Sequence, residues 1–239
     1  GYKVCWISKA GTDSFGDYIV NKLHEEKVDT SFVKRDSCRP TGFLLKSKVT
    51  SGDPAVEYYR KHSASSTMCI KDFENLEMPQ AKHLHLTGIS PALSPQVREF
   101  GEYLQLKYKK AGTTISFDPN LRPVLWQSEE QMISCMNEFA FRSDWFFPGI
   151  VEGRILTGYS QKEDIANFYH EKGVRLVVVK LGESGAYYSA VNERGIAEGF
   201  KVPEVIDTVG AGDGFAAGVI SGLLDSLSLK DAVMRGNAM

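Results

Sequence analysis

At residues 175–180 the sequence is Arg175-Leu176-Val177-Val178-Val179-Lys180, a β-branched, apolar run that is typical of a strand covered on both faces. A helix is predicted before it, at residues 162–171, and a strand beginning at Tyr187 is predicted after it. The same alternation of strand and helix recurs along the chain. It predicts an α/β fold with a mainly parallel central sheet and helices on both faces.

Further elements follow from the apolar periodicity and the turn signals. We predict strands at residues 3–8, 83–87, 113–117 and 144–147, and helices at about 13–26, 95–110 and 131–141. Residues 42–49 and 55–60 flank the turn signal of residues 51–54, which predicts a local antiparallel hairpin. The chain therefore reads as a single domain, residues 1–239, with a small β lid at about 41–61.

Composition excludes several classes of function. The 239 residues are 42% hydrophobic and carry a formal net charge of −2, which gives no reason to expect a nucleic-acid or membrane partner. No apolar run has membrane-spanning length and no signal-peptide pattern is present, so we expect a cytoplasmic protein. The scattered cysteines predict buried, reduced thiols, and packing explains the alternating histidines of the strand at 83–87 better than metal ligation does. These residues are Cys5, Cys38, Cys69, Cys135, His83 and His85.

The segment Asp207-Thr208-Val209-Gly210-Ala211-Gly212-Asp213-Gly214-Phe215 opens a helix-like run and carries the chemistry. Its glycines let backbone N–H groups converge, and the helix dipole makes the turn suitable for developing negative charge. A carboxylate inside such an anion site indicates a catalytic base beside it, as phosphoryl transfer to a hydroxyl requires. Packing alone would explain the four-residue spacing of Gly214, Gly218 and Gly222.

Two other glycine motifs do not fit this segment. A P-loop needs Lys and then Ser or Thr after its last glycine, whereas Asp213 follows Gly212. A dinucleotide-binding fingerprint needs a third glycine where Phe215 stands, which disfavours a nicotinamide-dependent oxidoreductase.

Charged residues near strand ends are the other candidate site residues, since ligands of open α/β sheets bind beyond the carboxyl ends of strands. Alternation places Tyr58 and Arg60 on one face of the hairpin and Tyr59 on the other, where an arginine beside a phenol suits a carboxylate. Arg122 is a second cation at a strand end. Simpler interpretations remain for two residues. Arg60 could form a local ion pair, and Asp118, which precedes Pro119 in the same segment as Arg122, could be a turn-forming residue.

Taken together these segments resemble the ribokinase-like (pfkB) carbohydrate kinases. Residues 207–215 look like the family signature Asp-Thr-x-Gly-Ala-Gly-Asp, and residues 9–16 look like its early Gly-x-Asp-x-Phe-Gly segment. The resemblance covers essentially the whole chain. Within the family, Tyr58-Tyr59-Arg60 and the loop at 118–122 look like the 2-keto-3-deoxygluconate kinases, which implies ATP-dependent phosphorylation of a sugar acid at its terminal hydroxyl.

The resemblance also implies roles for individual residues. Asp213 would take the hydroxyl proton, while the N–H groups of Gly210, Ala211 and Gly212 would stabilise charge on the phosphoryl group. Mg²⁺ would bridge the phosphates with help from Glu152 through water, and a monovalent cation is a further expectation. The sugar-acid positions are Tyr58, Tyr59, Arg60 and Arg122, and the positions near the nucleotide are Asn120, Arg122, Lys180, Leu181, Gly182, Glu183, Ser184 and Gly185.

Two departures from the family pattern are visible. The family would have a strand and a Gly-Gly segment before residue 1 and further helices after residue 239, so we expect a fragment whose ends are missing. Gly149 stands where many members have the Asn of an Asn-x-x-Glu motif. The alternatives to a sugar-acid kinase are another pfkB-type kinase of fructose, ribose or a nucleoside, and a non-catalytic sugar-acid sensor. Family members commonly pair through the lid, which predicts a homodimer.

Overall fold

The structure is a computed structural model that describes residues 1–47, 56–203, 205 and 207–239. The chain divides into two compact units. The first comprises Gly1–Gln80 and Ser90–Leu104, and the second comprises Ala81–Ile89 and Gln105–Met239. The turn predicted at residues 51–54 lies outside the described residues. Among the helices described, none combines the length and the apolar character needed to cross a membrane.

The regular elements of the described residues are as follows. The strands are β1 (Ser8–Gly11), β2 (Val33–Asp36), β3 (Phe43–Lys46), β4 (Val56–Tyr59), β5 (His83–Thr87), β6 (Thr114–Asp118), β7 (Trp145–Phe146), β8 (Leu176–Lys180), β9 (Ala186–Ala190) and β10 (Arg194–Ala197). The α-helices are α1 (Ser14–Glu25), α2 (Ile89–Leu93), α3 (Pro95–Lys110), α4 (Glu129–Phe141), α5 (Ile150–Thr157), α6 (Lys162–Glu171), α7 (Ala211–Leu224) and α8 (Leu229–Asn237).

The second unit is built on a six-stranded sheet with the order β10-β9-β8-β7-β6-β5. Neighbouring strands from β5 to β8 are parallel, and β9 and β10 add antiparallel pairs. This mixed, mainly parallel sheet confirms the predicted class. Because β6, β7 and β8 run in the same direction, their carboxyl ends meet at one edge, with the short β7 between the other two.

Both faces of this sheet are covered. Along β8, Val177 and Val179 belong to a buried cluster that includes residues of α4, α5 and α6. Leu176 and Val178 point the other way, into a cluster formed with residues of α7 and α8. The period of two along the strand thus places helices on both faces, as the sequence predicted.

Helices α7 and α8 pack through small residues. A Cβ added at Gly218 would lie 2.7 Å from the Cα of Gly236, and one at Gly222 would lie 2.7 Å from the Cα of Ala232. Gly214 has more room, since its added Cβ would come no nearer than 3.5 Å to Met239. Close helix packing therefore explains Gly218 and Gly222, while the turn at 207–212 needs a separate explanation.

The first unit contains two small sheets. Strands β1 and β2 form a parallel pair that is connected by α1. The first turn of α1 is capped by Asp13, whose Oδ1 accepts from the Gly16 N–H at 2.9 Å. The antiparallel pair β3–β4 is the predicted hairpin, with Phe43 opposite Tyr59 and Leu44 opposite Tyr58.

Two predictions were wrong, one about the first strand of this unit and one about the cysteines of the chain. The first strand is Ser8–Gly11 rather than residues 3–8, because its partner is β2, a polar strand that apolar patterning does not reveal. All four cysteines are free thiols, but only Cys135 is buried and Cys38 is exposed. The exposed position of Cys38 contradicts the expectation of uniformly buried thiols.

Candidate active site

The start of α7 is a tight turn that ends in a left-handed glycine. Asp207 accepts a hydrogen bond from the Val209 N–H at 2.9 Å, and Gly210 has φ +82°, a conformation that favours glycine. The Ala211 N–H donates to the Thr208 carbonyl at 3.2 Å, so this donor is engaged within the turn. The N–H groups of Gly212 and Asp213 lie in the first turn, where backbone donors have no intrahelical acceptor.

Asp213 itself is exposed in that first turn. A carboxylate there is stabilised by the helix dipole and remains open to a ligand. Asp213, the predicted base, thus lies at a helix N-terminus, beside backbone N–H groups that can donate hydrogen bonds to an anionic group.

A buried ion pair lies at the carboxyl edge of the sheet. Asp118 is the last residue of β6 and Lys180 the last of β8, and Lys180 Nζ is 2.6 Å from Asp118 Oδ2. The Asp118 side chain is 3% exposed and that of Lys180 is 20% exposed. The other carboxylate oxygen accepts from the Asn120 N–H at 3.1 Å, so Asp118 is also the turn-forming residue that its Asp-Pro sequence suggests.

The pair lies against the start of α7. A Cβ added at Gly212 would be 3.8 Å from Lys180 Nζ and 4.0 Å from Asp118 Oδ2. Burial raises the pKa of the Asp118 carboxyl, the nearby Lys180 ammonium opposes the rise, and the charge of Asp213 reinforces it. Asp118, Lys180, Gly212 and Asp213 therefore form one electrostatic group. Sequence reasoning missed the pairing of Asp118 with Lys180, since 62 residues separate them.

A histidine on β5 faces the same group. His85 Nδ1 and His83 Nε2 each lie 2.7 Å from the hydroxyl oxygen of Ser116. Burial lowers the pKa of His85 to about 4; Asp213 opposes this shift and Lys180 adds to it. In the part of the chain that the structure describes, no three His, Cys, Asp or Glu side chains are grouped to hold a metal ion. The packing role predicted for these histidines agrees with their hydrogen bonds.

Glu152 ties the 118–122 loop to the start of α5. Its Oε1 accepts from the Leu121 N–H at 2.8 Å and its Oε2 from the Gly149 N–H at 2.7 Å. In the same loop Arg122 donates to the Leu121 carbonyl at 2.7 Å, and Asn120 adopts φ +38°. In this structure Glu152, which was predicted to contact the metal through water, holds two backbone segments together.

The turn predicted to border the nucleotide is a short 3₁₀ segment, Gly182–Ser184, that is exposed. The Leu181 N–H donates to the Gly185 carbonyl at 2.8 Å, which closes the turn. Gly185 has φ +89°, and a Cβ there would lie 2.1 Å from the Ala197 carbonyl oxygen. Turn geometry alone therefore explains this glycine, while the exposed Glu183 is open to a ligand.

The predicted carboxylate-binding residues of the hairpin belong to the first unit. The Arg60 guanidinium carbon lies 5.4 Å from the centre of the Tyr58 ring, so the two side chains share a face, as the alternation predicts. Tyr59 instead stacks on Phe43, with ring centres 4.8 Å apart, and its hydroxyl donates to Glu57 at 2.8 Å.

Comparison with known proteins gives consistent matches over the whole chain. The family model described as pfkB family carbohydrate kinase matches residues 1–239. The chain is 50% identical to the 2-dehydro-3-deoxygluconokinase of Bacillus subtilis strain 168, over 100% of this chain and 74% of that protein. A PfkB protein from Polaromonas sp. JS666 superposes with a TM-score of 0.92 at 46% identity, over 100% of this chain and 78% of that one. A putative ribokinase II from E. coli, solved in complex with ATP and Mg²⁺, has a TM-score of 0.90 at 28% identity, over 100% and 75% of the two chains.

Proposed function

The chain belongs to the pfkB family of carbohydrate kinases, and on that premise we propose that it transfers the γ-phosphoryl group of ATP to the terminal hydroxyl of 2-keto-3-deoxygluconate. The observation that carries the proposal is the exposed Asp213 in the first turn of α7, beside the Asp118–Lys180 pair. The name of the Bacillus subtilis relative, 2-dehydro-3-deoxygluconokinase, supports the same sugar acid.

Asp213 acts as the general base in this reaction. Its carboxylate accepts the proton of the terminal hydroxyl as the hydroxyl oxygen bonds to the γ-phosphorus. The bond from that phosphorus to the bridging oxygen breaks, and ADP leaves with the electron pair. The N–H groups of Gly210 and Gly212, as predicted from the sequence, and that of Asp213 stabilise the negative charge that develops on the transferring group, together with the dipole of α7. The Ala211 N–H, also predicted for this role, donates to the Thr208 carbonyl instead.

The nucleotide is expected at the carboxyl edge of the second unit. We assign its contacts to the 3₁₀ turn Gly182–Ser184 and to the neighbouring positions predicted from the sequence, Asn120, Arg122, Lys180, Leu181 and Gly185. Mg²⁺ supplies charge neutralisation on the phosphates when it is bound. Glu152 fits an indirect role in holding it, because each of its oxygens keeps a further lone-pair site for a water. A monovalent cation is part of the proposal as well.

The acid group of the sugar accounts for the arginines. Arg60 with Tyr58, and Arg122 in the 118–122 loop, each offer a planar, permanently charged donor set that suits a carboxylate. Tyr59 was predicted to contribute too, although its ring stacks on Phe43 instead of sharing the Tyr58 face. A neutral sugar would not need two such cations.

The lid is the proposed surface for a homodimer. The described residues of β3 and β4 form a two-stranded sheet, and Leu45 and Tyr59, which the strand pairing places on one face, are 54% and 47% exposed. A two-stranded sheet is marginal alone and gains stability when an apolar face is covered. A second copy of this chain is proposed to cover that face.

A cytoplasmic location remains part of the proposed function.

A substrate panel tests the function. The protein is incubated with Mg²⁺ and ATP and with 2-keto-3-deoxygluconate, fructose, ribose or a nucleoside, and ADP release is followed. The sugar acid should give the highest kcat/KM. Better turnover of a neutral sugar would overturn the substrate while keeping the kinase class. Binding of the acid without ADP release would indicate a sensor.

A further inference from the structure

The acid of the Asp118–Lys180 pair is almost fully buried, while the lysine reaches partial exposure. A buried ion pair of this kind contributes little net stability to the fold, because the cost of desolvating the two charges offsets much of their attraction. Asp118 is therefore better explained by what it does to Lys180 than by its contribution to folding.

A lone lysine at this edge would not have a fixed position. Its four-carbon stem samples many rotamers, and its ammonium is a compact charge without a preferred plane. The Asp118 carboxylate accepts a hydrogen bond from Lys180 Nζ at 2.6 Å. Its other oxygen accepts a hydrogen bond from the Asn120 N–H at 3.1 Å, which holds the carboxylate in place. The loop after β6 thus determines where the ammonium of β8 lies.

The ammonium is held at the start of α7. Lys180 Nζ lies 3.8 Å from the position that a Gly212 Cβ would take, next to Asp213 in the chain. The Lys180 ammonium therefore lies beside the first-turn N–H groups of α7 that we propose to bind the transferring phosphoryl group. A cation already fixed there stabilises the developing negative charge without having to move during the reaction.

We propose that Asp118 is a positioning residue that holds the Lys180 ammonium beside the N-terminus of α7, where the ammonium stabilises the negative charge of the transferring phosphoryl group. The inference rests on the proposed kinase function. It adds a role for Asp118 and gives Lys180 a contribution to the transfer step in addition to nucleotide binding.

Asp118→Asn is the central variant, since an amide oxygen can still accept from the Asn120 N–H while the charge that holds Lys180 is lost. We expect kcat to fall on the order of 10-fold to 100-fold, with KM for both substrates within about threefold, because positioning acts on the transition state.

Asp144 provides a matched control on the same sheet. Its Oδ1 pairs with Arg175 at 2.8 Å and its Oδ2 accepts from the Ile115 N–H at 2.8 Å. This pair directly precedes β7 and β8, at the opposite edge from Asp213. Asp144→Asn should affect the melting temperature and leave kcat unchanged.

A double-variant comparison separates positioning from structure. Lys180→Met should lower kcat, and Asp118→Asn combined with Lys180→Met should be no slower than Lys180→Met alone, because Asp118 acts through the lysine. Two results would overturn the inference. One is a double variant that is slower than Lys180→Met by the full factor lost in Asp118→Asn, and the other is an Asp118→Asn variant whose kcat equals that of Asp144→Asn. If Asp118→Asn does not fold, the double variant, which leaves no unpaired charge, still gives the comparison with Lys180→Met.

The unvaried protein is assayed first on the sugar panel. Absence of turnover on every sugar overturns the proposed function and the inference with it. Turnover by the unvaried protein, together with full kcat in Asp118→Asn, overturns the inference alone.

Discussion

Gly218 of α7 lies against Gly236 of α8 so closely that a Cβ on Gly218 would be 2.7 Å from the Cα of Gly236. We expect Gly218→Ala to lower the free energy of unfolding by about 1–3 kcal/mol, because backbone atoms cannot yield to the added methyl group. Urea denaturation measures the change. Gly214→Ala is the control, since its nearest contact is 3.5 Å and alanine favours the helix. Equal stability changes in the two variants would contradict the close-packing explanation.

Asp213→Asn tests the assigned base. The variant keeps the size and exposure of the side chain but cannot take the hydroxyl proton. We expect kcat to fall on the order of 10²–10⁴-fold, while the melting temperature changes little because the residue is exposed. Steady-state kinetics and thermal unfolding give the two values. Near-normal turnover would remove Asp213 from the role of general base.

Arg60→Lys tests recognition of the acid group. Lysine keeps the charge but loses the planar pair of donors. We expect kcat/KM for 2-keto-3-deoxygluconate to fall on the order of 10-fold to 100-fold, in line with a lost hydrogen bond to a charged group. Arg39→Lys is the control, because Arg39 is an exposed arginine of the same unit that pairs with Asp36. A similar loss in both variants would point to a general effect of the unit instead of carboxylate binding.

The two partly buried histidines of β5, His83 and His85, predict a pH dependence of stability. Burial lowers the pKa of His83 and of His85 from 6.5 to about 4. Between these values the unfolded chain binds protons that the folded chain does not, so stability falls as pH falls below 6.5 and is unaffected above it. The slope is up to about 1.4 kcal/mol per pH unit for each ring.

Urea midpoints measured from pH 7.5 to pH 4.5 check this dependence. His85→Asn should flatten the profile, and His62→Asn, at an exposed position, should leave it unchanged. A His85→Asn protein with the original slope would show that this ring does not contribute.

Leu45→Lys tests the proposed lid dimer. Leu45 is 54% exposed on β3, and a lysine there would place charge in an apolar interface. We expect the dimer dissociation constant to rise by about 10-fold or more, measured by light scattering over a dilution series. Leu106→Lys, at a residue that is 56% exposed on α3, is the control. A protein that is monomeric before any substitution would refute the dimer.

Local sequence was sufficient for the elements whose apolar periodicity is complete. Helix α3 lies at the predicted residues 95–110, with Val97, Phe100, Leu104 and Tyr108 buried on its predicted face. Strand β2 was not predicted, because Lys34 and Arg35 at its centre break the apolar pattern and its pairing with β1 is what makes it a strand.

The candidate site divides in the same way. The turn before Asp213 was visible because its glycines and carboxylate are consecutive. The Asp118–Lys180 pair depends on the order of strands in the sheet, and a sequence shows only that each residue ends a strand. Which strand ends become neighbours is determined by the tertiary structure, and local patterns of residues along the chain do not show it.

The hydroxyl shared by His83 and His85 constrains where their protons reside. Ser116 is fully buried, and among the described residues its hydroxyl has no hydrogen-bond partner besides these two rings. Its one proton is therefore donated to one ring, and its oxygen accepts from the other. Donation to His85 Nδ1 leaves both rings protonated at Nε2, whereas the reverse direction leaves both protonated at Nδ1. The second arrangement would bury an N–H at His83 Nδ1, which has no partner among the described residues. The two rings thus share one tautomer, and His85 keeps an Nε2–H donor that does not face Ser116.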